Sequence, residues 1–400
     1  MKKIGLFISF ILWFSFSNAQ NFVWKAQNSG IKSGNLYDVV FYNDSFGFAI
    51  GNNDTINYIL KTTDAGITWT NMSNATTAEM VRACDFVDEK TWFVVGKTGA
   101  LYKTTNTGDT WTKINLGTNV NLLDISSPQK DAVYICTEAG RYITYDGSGW
   151  KTVTVKTTDN FISVDFSSDT TGFLTASNGR IWRTQNGGNN WDTVKKTLEP
   201  LLGSHFVTEN VGYIVGPNRF VKRTINAGTL WSDTNTFPKA FWGIDYYTAF
   251  FLNHNFGFIG GTQGTLLRTP TGGSSWIKEN TGITTTINKI CIPSPTVGYA
   301  VANGGYILKR FDASSVNLPS TEQLSIYPNP TQNRIFFNIN NSSISSFNVR
   351  IFDLNGKELL HLHNTFAPEN GLDVSFLEHG IYLLIIDSEN FRAHSKLIIE

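Results

Sequence analysis

The 400-residue sequence has no excess of charge of either sign, because 32 lysines and arginines balance 32 aspartates and glutamates. This balance gives no electrostatic reason to expect binding to nucleic acid or to an anionic membrane surface. Cysteine is also scarce: Cys84, Cys136 and Cys291 lie in separate apolar stretches without the spacing of a metal site. Their odd number leaves at least one thiol unpaired, and we predict buried free thiols.

Long hydrophobic runs are missing beyond the start of the chain. A membrane-spanning helix needs about 20 apolar residues, and no stretch reaches that length. The one apolar run, Ile4 to Phe16, follows two lysines and precedes the small residues Ser17-Asn18-Ala19. This order is typical of a secretory signal peptide. We predict a signal peptide at residues 1–19 and an exported protein without a transmembrane segment.

Motifs of common catalytic centres are missing as well. The sequence contains no serine nucleophile elbow, zinc-binding helix or phosphate-binding loop. His205 and His254, the two histidines before residue 312, have no partner at metal-ligand spacing. These absences disfavour the usual hydrolase and metalloenzyme classes.

What the sequence does contain is a repeated turn close to the form Thr-x-Asp/Asn-x-Gly-x-x-Trp. Five full copies and one copy that is shorter by a residue end at Trp69, Trp111, Trp191, Trp231, Trp276 and, for the short copy, Trp150. The tryptophans recur about every 40 residues, and a period of this length indicates a repeat architecture.

The residues of the turn have separate physical roles. The short acceptor side chain can bond backbone N–H groups just ahead, and the glycine adopts a positive φ at no steric cost. The acceptors are Asp64, Asn106, Asp146, Asn186 and Asn226. The tryptophan begins the next strand and buries a large ring. This pattern resembles the Asp-box, or BNR repeat, of sialidase-like β-propellers. The resemblance implies a structural turn on the rim, away from any active site.

Between the tryptophan turns the same strand patterns recur, giving four short strands in each repeat and no helical period. Such patterns are typical of propeller blades. The seventh repeat, residues 287–312, lacks its tryptophan strand, whereas the mature N terminus supplies an isolated one around Trp24. We therefore predict an all-β, seven-bladed β-propeller over residues 20–312 that is closed by the N-terminal strand.

The last part of the chain has a different pattern. Residues 313–323 predict a linker, and the alternating strands of residues 324–400 predict a small Ig-like β-sandwich. This segment resembles the type A C-terminal sorting domain of the type IX secretion system of Bacteroidetes. The motifs that carry the resemblance are Tyr327-Pro-Asn-Pro330, the turn formed by Asp353, Gly356 and Lys357, the strand Gly380-Ile-Tyr382, and Lys396. It implies recognition by that secretion machinery and passage through the outer membrane, to the cell surface or outside the cell.

The aligned first strands of the repeats give one column rich in ionisable side chains, and first strands line the channel of a propeller. Its members are Val40, Asp85, Asp124, Asp165, His205, Asp245 and Cys291. A ring of carboxylates supplies the oxygen ligands that Ca²⁺ prefers, or raises one carboxyl pKa by crowding like charges. The alternative is that these side chains cap neighbouring turns or face channel water. We favour the alternative, and Ca²⁺ is the one cofactor that the sequence leaves open.

A second column is predicted to line the mouth of the channel. It comprises Tyr37, Arg82, Asn121, Ile162, Leu202, Trp242 and Asn288. Tyr37 and Trp242 are candidate aromatics for binding a sugar or a peptide, with core packing as the alternative for Trp242. We place the first strand of the sixth repeat at Phe241–Tyr246 and interpret residues 248–254 as a lengthened loop.

The repeat consensus, Gly-Phe/Tyr-Ala-Val-Gly followed by Ile-Leu-Lys-Thr-Thr-Asp-x-Gly-x-Thr-Trp, is similar to the photosystem II assembly-factor family of propellers over about residues 21–312. The resemblance implies a scaffold rather than an enzyme. The neutral charge and the export tail depart from that family, so only the non-catalytic, protein-facing character is carried over.

An enzymatic role is the alternative function. A sialidase-like active site would need converging arginines, yet Arg183, Arg223 and Arg268 all occupy the same position before the turn. We therefore predict a secreted, non-catalytic binding or scaffold propeller with an unknown protein or glycan ligand and no nucleic-acid partner. The alternative is a glycoside hydrolase or lyase that uses the channel carboxylates.

Overall fold

The computed structural model describes residues 22–73, 79–155, 157–234, 243–312, 325–338, 347–353, 358–365, 371–388 and 391–400. The chain divides into two compact units, residues 1–314 and 315–400. The predicted signal peptide and the predicted linker lie outside the described residues, so these parts of the division stay predictions. No helix within the described residues is long and apolar enough to cross a membrane.

The first unit consists of strands and one short 3₁₀ helix, Lys97–Gly99. In chain order its strands are β1 (Phe22–Gln27), β2 (Asn35–Phe41), β3 (Gly47–Asn52), β4 (Asn57–Thr62), β5 (Thr70–Asn71), β6 (Val81–Phe86), β7 (Trp92–Gly96), β8 (Leu101–Thr104), β9 (Thr112–Lys113), β10 (Leu122–Gln129), β11 (Ala132–Thr137), β12 (Arg141–Tyr145), β13 (Trp150–Thr154), β14 (Phe161–Phe166), β15 (Gly172–Ala176), β16 (Arg180–Thr184), β17 (Asp192–Lys196), β18 (Gly203–Phe206), β19 (Gly212–Val215), β20 (Val221–Thr224), β21 (Ser232–Asp233), β22 (Tyr246–Phe251), β23 (Gly257–Gly261), β24 (Leu266–Thr269), β25 (Ile277–Lys278), β26 (Ile287–Cys291), β27 (Gly298–Ala302) and β28 (Ile307–Asp312).

These strands form seven four-stranded antiparallel sheets, which correspond to the seven repeats. Sheets I to VI are β2–β5, β6–β9, β10–β13, β14–β17, β18–β21 and β22–β25, and sheet VII has the order β1-β28-β27-β26. The first strands contact one another in the order of the sheets, and β26 of sheet VII contacts β2 of sheet I. The sheets therefore form a closed ring around a central channel, and the predicted all-β propeller is confirmed.

The N-terminal strand completes sheet VII, as predicted. It pairs antiparallel with β28, from Phe22 opposite Asp312 to Gln27 opposite Ile307. Trp24 is buried and packs edge-on against Phe258 of sheet VI, with ring centroids 5.7 Å apart. Because the pairing supplies the outer strand that the seventh repeat lacks, the last sheet has the same four strands as the others.

The predicted position of the first strand in the sixth repeat was wrong. That strand is β22, and residues 248–251 belong to it rather than to a lengthened loop. Burial explains the difference, because Phe251 stacks on Tyr213 of sheet V with centroids 3.4 Å apart and is almost fully enclosed. The predicted strand Phe241–Tyr246 has the residue pattern of a first strand, but of these residues only Tyr246 belongs to β22.

The repeated turns are held by their short acceptor side chains. The backbone N–H four residues ahead donates to Asp64, Asn106, Asn186 and Asn226, at 2.9, 3.0, 2.9 and 2.9 Å. In the shorter copy, Asp146 accepts from the N–H of Ser148 at 3.0 Å. Gly108 shows why the glycine is required: its φ is +86°, and a Cβ there would lie 2.5 Å from Phe48 of the preceding sheet. Each turn therefore packs closely on its neighbour.

The second unit contains two sheets, described here by themselves. Its strands are β29 (Ser325–Tyr327), β30 (Arg334–Asn338), β31 (Phe347–Phe352), β32 (Glu358–Thr365), β33 (Leu372–Asp373), β34 (Gly380–Ser388) and β35 (Phe391–Ile399). The sheets have the orders β29-β30-β33 and β32-β31-β34-β35. Ile335, Ile351 and Leu384 lie in their shared apolar core. The Ig-like topology stays a prediction, and Gly356 and Lys357 lie outside the described residues.

Candidate functional site

Two layers of side chains surround a cavity at one end of the channel. The mouth layer is Tyr37, Arg82, Leu123, Ile162, Leu202, Tyr247 and Asn288. The inner layer is Asp38, Ala83, Asp124, Ser163, Gly203, Thr248 and Lys289. Each sheet supplies one residue to each layer. In six sheets the register shifts at this point of the first strand, which lets two successive residues line the cavity. Mouth-layer side chains are partly or fully exposed, whereas all inner-layer residues except Lys289 are buried.

The predicted carboxylate column is divided among three places. Asp85 and Asp165 pair with Phe93 and Phe173 of their second strands, and His205 occupies the same register opposite Tyr213. Asp124 does not belong with them, because Ser126 holds that register in sheet III and Asp124 lies in the inner layer. The sequence alignment missed this shift because β10 carries an additional irregularity between Ser126 and Gln129.

Asp245 lies outside the column altogether. It precedes β22, and its carboxylate accepts a hydrogen bond at 2.9 Å from the N–H of Asn218 in the neighbouring sheet. Phe250 takes the column position in sheet VI, opposite Phe258. The predicted ring of five ionisable side chains therefore does not converge on one point.

The other three carboxylates of the predicted column accept hydrogen bonds from the next sheet in the ring. Asp85 accepts from the N–H of Ser127 at 2.6 Å, Asp124 from that of Val164 at 3.1 Å, and Asp165 from that of Phe206 at 2.7 Å. His205 makes the equivalent contact through Nε2, 3.1 Å from the carbonyl oxygen of Phe251. The three carboxylates each accept a backbone N–H of the neighbouring first strand, whereas the His205 ring contacts a backbone carbonyl. The carboxylates therefore connect neighbouring sheets.

No group of three or more His, Cys, Asp or Glu side chains within the described residues is arranged to hold a metal ion. The residues proposed as Ca²⁺ ligands from the sequence lie at different levels of the channel and are used in bonds between sheets. The described arrangement therefore gives no support to a site built from Asp85, Asp124, Asp165 and Asp245.

Two residues that the sequence analysis missed dominate the inner layer. The ammonium of Lys289 lies 3.8 Å from Oδ1 of Asp38 and 3.7 Å from Oδ1 of Asp124. Asp38 is buried and accepts from the N–H groups of Cys84, at 2.8 Å, and Val39, at 2.9 Å. The available signal was a column of first-strand residues that combines Asp38 and Lys289, charges of opposite sign in repeats that are neighbours once the ring closes.

The charges of this group shift each other's ionisation. Burial raises the pKa of Asp38, partly offset by the positive charge of Lys289. For Lys289, burial alone would lower the pKa, but the negative charges of Asp124 and Asp38 outweigh it and raise the pKa above its ordinary value. Lys289 is therefore a fixed positive charge and not a candidate base or nucleophile.

The mouth layer combines a polar half with an apolar half. Arg82 lies with its guanidinium 6.0 Å from the ring centroid of Tyr37, and Tyr247 is 38% exposed. Asn288 is held by hydrogen bonds to the carbonyl of Leu36 and to Asn303. Leu123, Ile162 and Leu202 form the apolar half.

Two predicted members of the mouth column are replaced in the structure. Leu123 takes the position assigned to Asn121, and Tyr247 takes the position assigned to Trp242. Both changes follow from the strand shifts in sheets III and VI. Trp242 itself lies outside the described residues.

The cavity between the layers has a volume of about 130 Å³. Enclosed sites for organic ligands usually measure about 300–1,000 Å³. A ligand at this end of the channel would therefore contact the mouth layer, with at most one small group entering the cavity.

The three cysteines are free and buried, as predicted. Burial raises the pKa of Cys291 to about 12 and raises the pKa values of Cys84 and Cys136 well above the ordinary range. Because the thiolate is the reactive form, none of them is poised as a nucleophile.

Family comparisons match both parts of the chain. Residues 325–400 match the model of the secretion system C-terminal sorting domain. Residues 16–149 and 142–240 match the model of the photosynthesis system II assembly factor YCF48. Together the latter two matches cover more than half of the chain. The chain belongs to the YCF48 family. The sorting domain implies that this YCF48-family protein is exported by the type IX secretion system.

Solved structures share the fold at low sequence identity. YCF48 bound to D1 peptide is 17% identical, with a TM-score of 0.60 over 72% of this chain and 96% of that chain. PorZ, a surface component of the type IX secretion system of Porphyromonas gingivalis, is 10% identical, with a TM-score of 0.54 over 94% and 60%. The GH74 enzyme of Niastella koreensis is 13% identical, with a TM-score of 0.53 over 72% and 44%. These similarities show the fold alone. A search of curated protein sequences gave no match.

Proposed function

We propose that this YCF48-family protein is an exported, non-catalytic propeller that binds a protein partner through the mouth layer of its channel. The observation that carries the proposal is the contrast between the two layers. Apart from Lys289, the inner layer is buried, and its carboxylates accept hydrogen bonds within the protein, whereas Tyr37, Arg82 and Tyr247 present aromatic and cationic groups to solvent.

The composition of the mouth layer suits a protein segment. Tyrosine and arginine are enriched at the energetic centres of protein interfaces, where their flat groups stack and also donate hydrogen bonds. Leu123, Ile162 and Leu202 offer an apolar surface on the opposite side of the same mouth. A partner with one apolar and one polar side chain would contact both halves at once.

Two comparisons support the proposal. One of the structures with this fold is YCF48 with a bound D1 peptide, so this kind of propeller has accommodated a peptide in that protein. Another is PorZ, a component of a bacterial cell surface. Export by the type IX system would bring the present chain to the same kind of location, and we propose that the mature protein acts at the cell surface or outside the cell after loss of residues 1–19.

The enzymatic alternative has less support. The GH74 enzyme shares the fold, yet this chain spans only 44% of it. A glycosidase needs an acid and a base or nucleophile that are free to exchange protons with substrate. Here Asp124 accepts hydrogen bonds from Ser163 and Val164 and lies beside Lys289. Asp85 and Asp165 accept hydrogen bonds from backbone N–H groups of the next sheet. We therefore propose binding without catalysis, to protein rather than glycan.

The proposal is tested by site-specific photo-crosslinking on the full exported chain. A photoreactive phenylalanine replaces Tyr37 or Tyr247, and a control replaces Ile67, a rim residue that is 77% exposed. Proteins of the outer membrane and medium that crosslink only from the mouth are identified, purified and measured directly for binding. We expect Arg82→Ala to weaken that binding by at least about tenfold, and Ile67→Ala to leave it unchanged.

Three results would overturn the proposal. Equal crosslinking from the rim and the mouth would show that the mouth is not the contact surface. Unchanged affinity of Arg82→Ala for the purified partner would have the same meaning. Turnover of a polysaccharide by the wild-type chain, lost in Asp124→Asn, would replace binding with the hydrolase or lyase alternative.

A further inference from the structure

The inner layer contains a cation supplied by the protein itself. Lys289 belongs to sheet VII, Asp38 to sheet I and Asp124 to sheet III. The ammonium of Lys289 lies 3.8 Å from one oxygen of Asp38 and 3.7 Å from one oxygen of Asp124, so a single positive charge connects three sheets across the channel. Two carboxylates near a buried point repel each other unless a cation lies beside both.

The surroundings of the ammonium are those of a small cation site. Both carboxylate contacts are longer than a direct hydrogen bond, so Lys289 forms an ion pair with each carboxylate without a short hydrogen bond to either. The hydroxyl of Thr248, 3% exposed, lines the same cavity and has no hydrogen-bond partner among the described residues. Asp38, Asp124 and Thr248 thus line one cavity of about 130 Å³, a volume that would accommodate an ion and a few waters.

We propose that Lys289 is the built-in cation of the channel and occupies the position that a Ca²⁺ ion would take between Asp38 and Asp124. The ammonium makes ring closure independent of metal ions. Removing it exposes an oxygen-lined site for a hard cation, because carboxylate and hydroxyl oxygens are the ligands that Ca²⁺ prefers. The proposal does not depend on the mouth layer being a binding surface.

The test uses the full chain and its tryptophan fluorescence. After residue 19 all tryptophans lie between Trp24 and Trp276, so the signal reports only the propeller unit. In EDTA we expect Lys289→Met to melt about 3–8 °C below the wild type, since two carboxylates then face each other without a counter-charge. Millimolar CaCl₂ should restore at least half of this difference and should have no effect on the wild type.

Three further variants make the result specific. Lys289→Arg keeps a positive charge and should melt near the wild type without a response to Ca²⁺. Calorimetry should show that Lys289→Met binds one Ca²⁺ ion per chain. The double variant with Lys289→Met and Asp124→Asn should lose both this binding and the Ca²⁺ response in melting. Lys222→Met removes a peripheral lysine whose partner, Asp233, is largely exposed, and should change neither melting nor Ca²⁺ binding.

The proposal fails if Lys289→Met melts at the wild-type temperature in EDTA, because the ammonium would then make no contribution to the stability of the propeller. It also fails if that variant is destabilised but binds no Ca²⁺, which would make Lys289 an ion-pair partner without a cation site. If Lys289→Met does not fold, the wild type still decides: Ca²⁺ binding that Asp124→Asn abolishes would mean that the ammonium does not fill the position. Absence of such binding, together with normal folding of Lys289→Arg, would support it.

Discussion

Lys309 donates a hydrogen bond to the backbone carbonyl of Ala65, at 2.9 Å, and so connects the last sheet to the Asp-box turn of the first. Arg183 of sheet IV makes the corresponding contact with the turn of sheet V, where it donates to the carbonyl of Ala227 at 3.1 Å. At these two junctions the cation on the third strand reaches the turn of the following sheet, whereas Arg268 pairs with Glu279 of its own repeat. The closure between the last and first sheets therefore uses the same contact as the junction between sheets IV and V.

Trp24→Ala is expected to destabilise the propeller by about 3–5 kcal/mol. The indole is 6% exposed and packs on Phe258, so its removal leaves a cavity between sheets VI and VII. Chemical unfolding followed by circular dichroism measures the effect. Val23→Ala changes the same strand at a residue that is 38% exposed and should cost under about 1 kcal/mol. Equal effects of the two substitutions would contradict the packing argument.

Thr107 and Gly108 should respond in opposite directions to substitution. Thr107 has a φ of +59°, so Thr107→Gly removes backbone strain and should stabilise the propeller by up to about 1 kcal/mol. Gly108→Ala adds a Cβ 2.5 Å from Phe48 and should destabilise it by at least about 2 kcal/mol. Denaturant unfolding monitored by tryptophan fluorescence gives both values. A neutral Gly108→Ala would mean that neighbouring sheets do not pack as closely as described.

Asp159→Asn should destabilise the propeller at pH 7 by about 2–4 kcal/mol. The carboxylate is 4% exposed and accepts bonds from Arg180, Trp182 and Asn178. Burial raises the pKa of Asp159, but the bonds from Trp182 and Asn178 outweigh it, so the pKa lies below its ordinary value.

The stability that Asp159 supplies is therefore present above the unfolded pKa of about 4 and is lost as the pH falls through the lower folded pKa. The difference between wild type and Asp159→Asn should shrink below pH 4 in unfolding curves measured from pH 7 to pH 3. Asp233→Asn provides the control, because that side chain is 82% exposed and should matter little at any pH. A difference that is constant with pH would contradict the assignment.

The three thiols should be unreactive in the native protein. Burial raises the pKa of Cys291 to about 12, and Cys84 and Cys136 are enclosed in apolar cores. At pH 8 a thiol reagent such as DTNB should label less than about one-tenth of the thiols in the native chain and all three in denaturant. Rapid labelling of one thiol in the native state would place that cysteine at the surface.

The fold was predictable because its information is local and repeated. The residues of the Asp-box turn determine its geometry locally, because Asp64 supplies the hydrogen-bond acceptor and Gly66, two positions later, adopts a positive φ. A period of about 40 residues then implies a propeller, and a repeat without its last strand identifies Trp24 as part of the closing strand.

The site was less predictable because it depends on register. A bulge in β10 moves Asp124 by one layer relative to Asp165, and a sequence alignment has no means of detecting it. The aromatic run before Tyr247 imitates a first strand, so its register could only be settled by the burial of Phe251. Lys289 and Asp38 lie 251 positions apart and become neighbours only when the ring closes.

The pairing of β1 with β28 also sets an order of events during synthesis. β1 is the first strand of the propeller to be made and β28 the last, so β1 has no partner until residue 312 has been added. Until then six sheets can pair internally, while the seventh lacks its outer strand and the chain remains an open arc. The apolar faces of sheets I and VII that pack on each other in the closed ring are then uncovered. Exposed apolar surface of this kind invites association between chains. The time between making the first and the last strand is therefore when this propeller is most exposed to aggregation, and chaperones that act on it would be needed then.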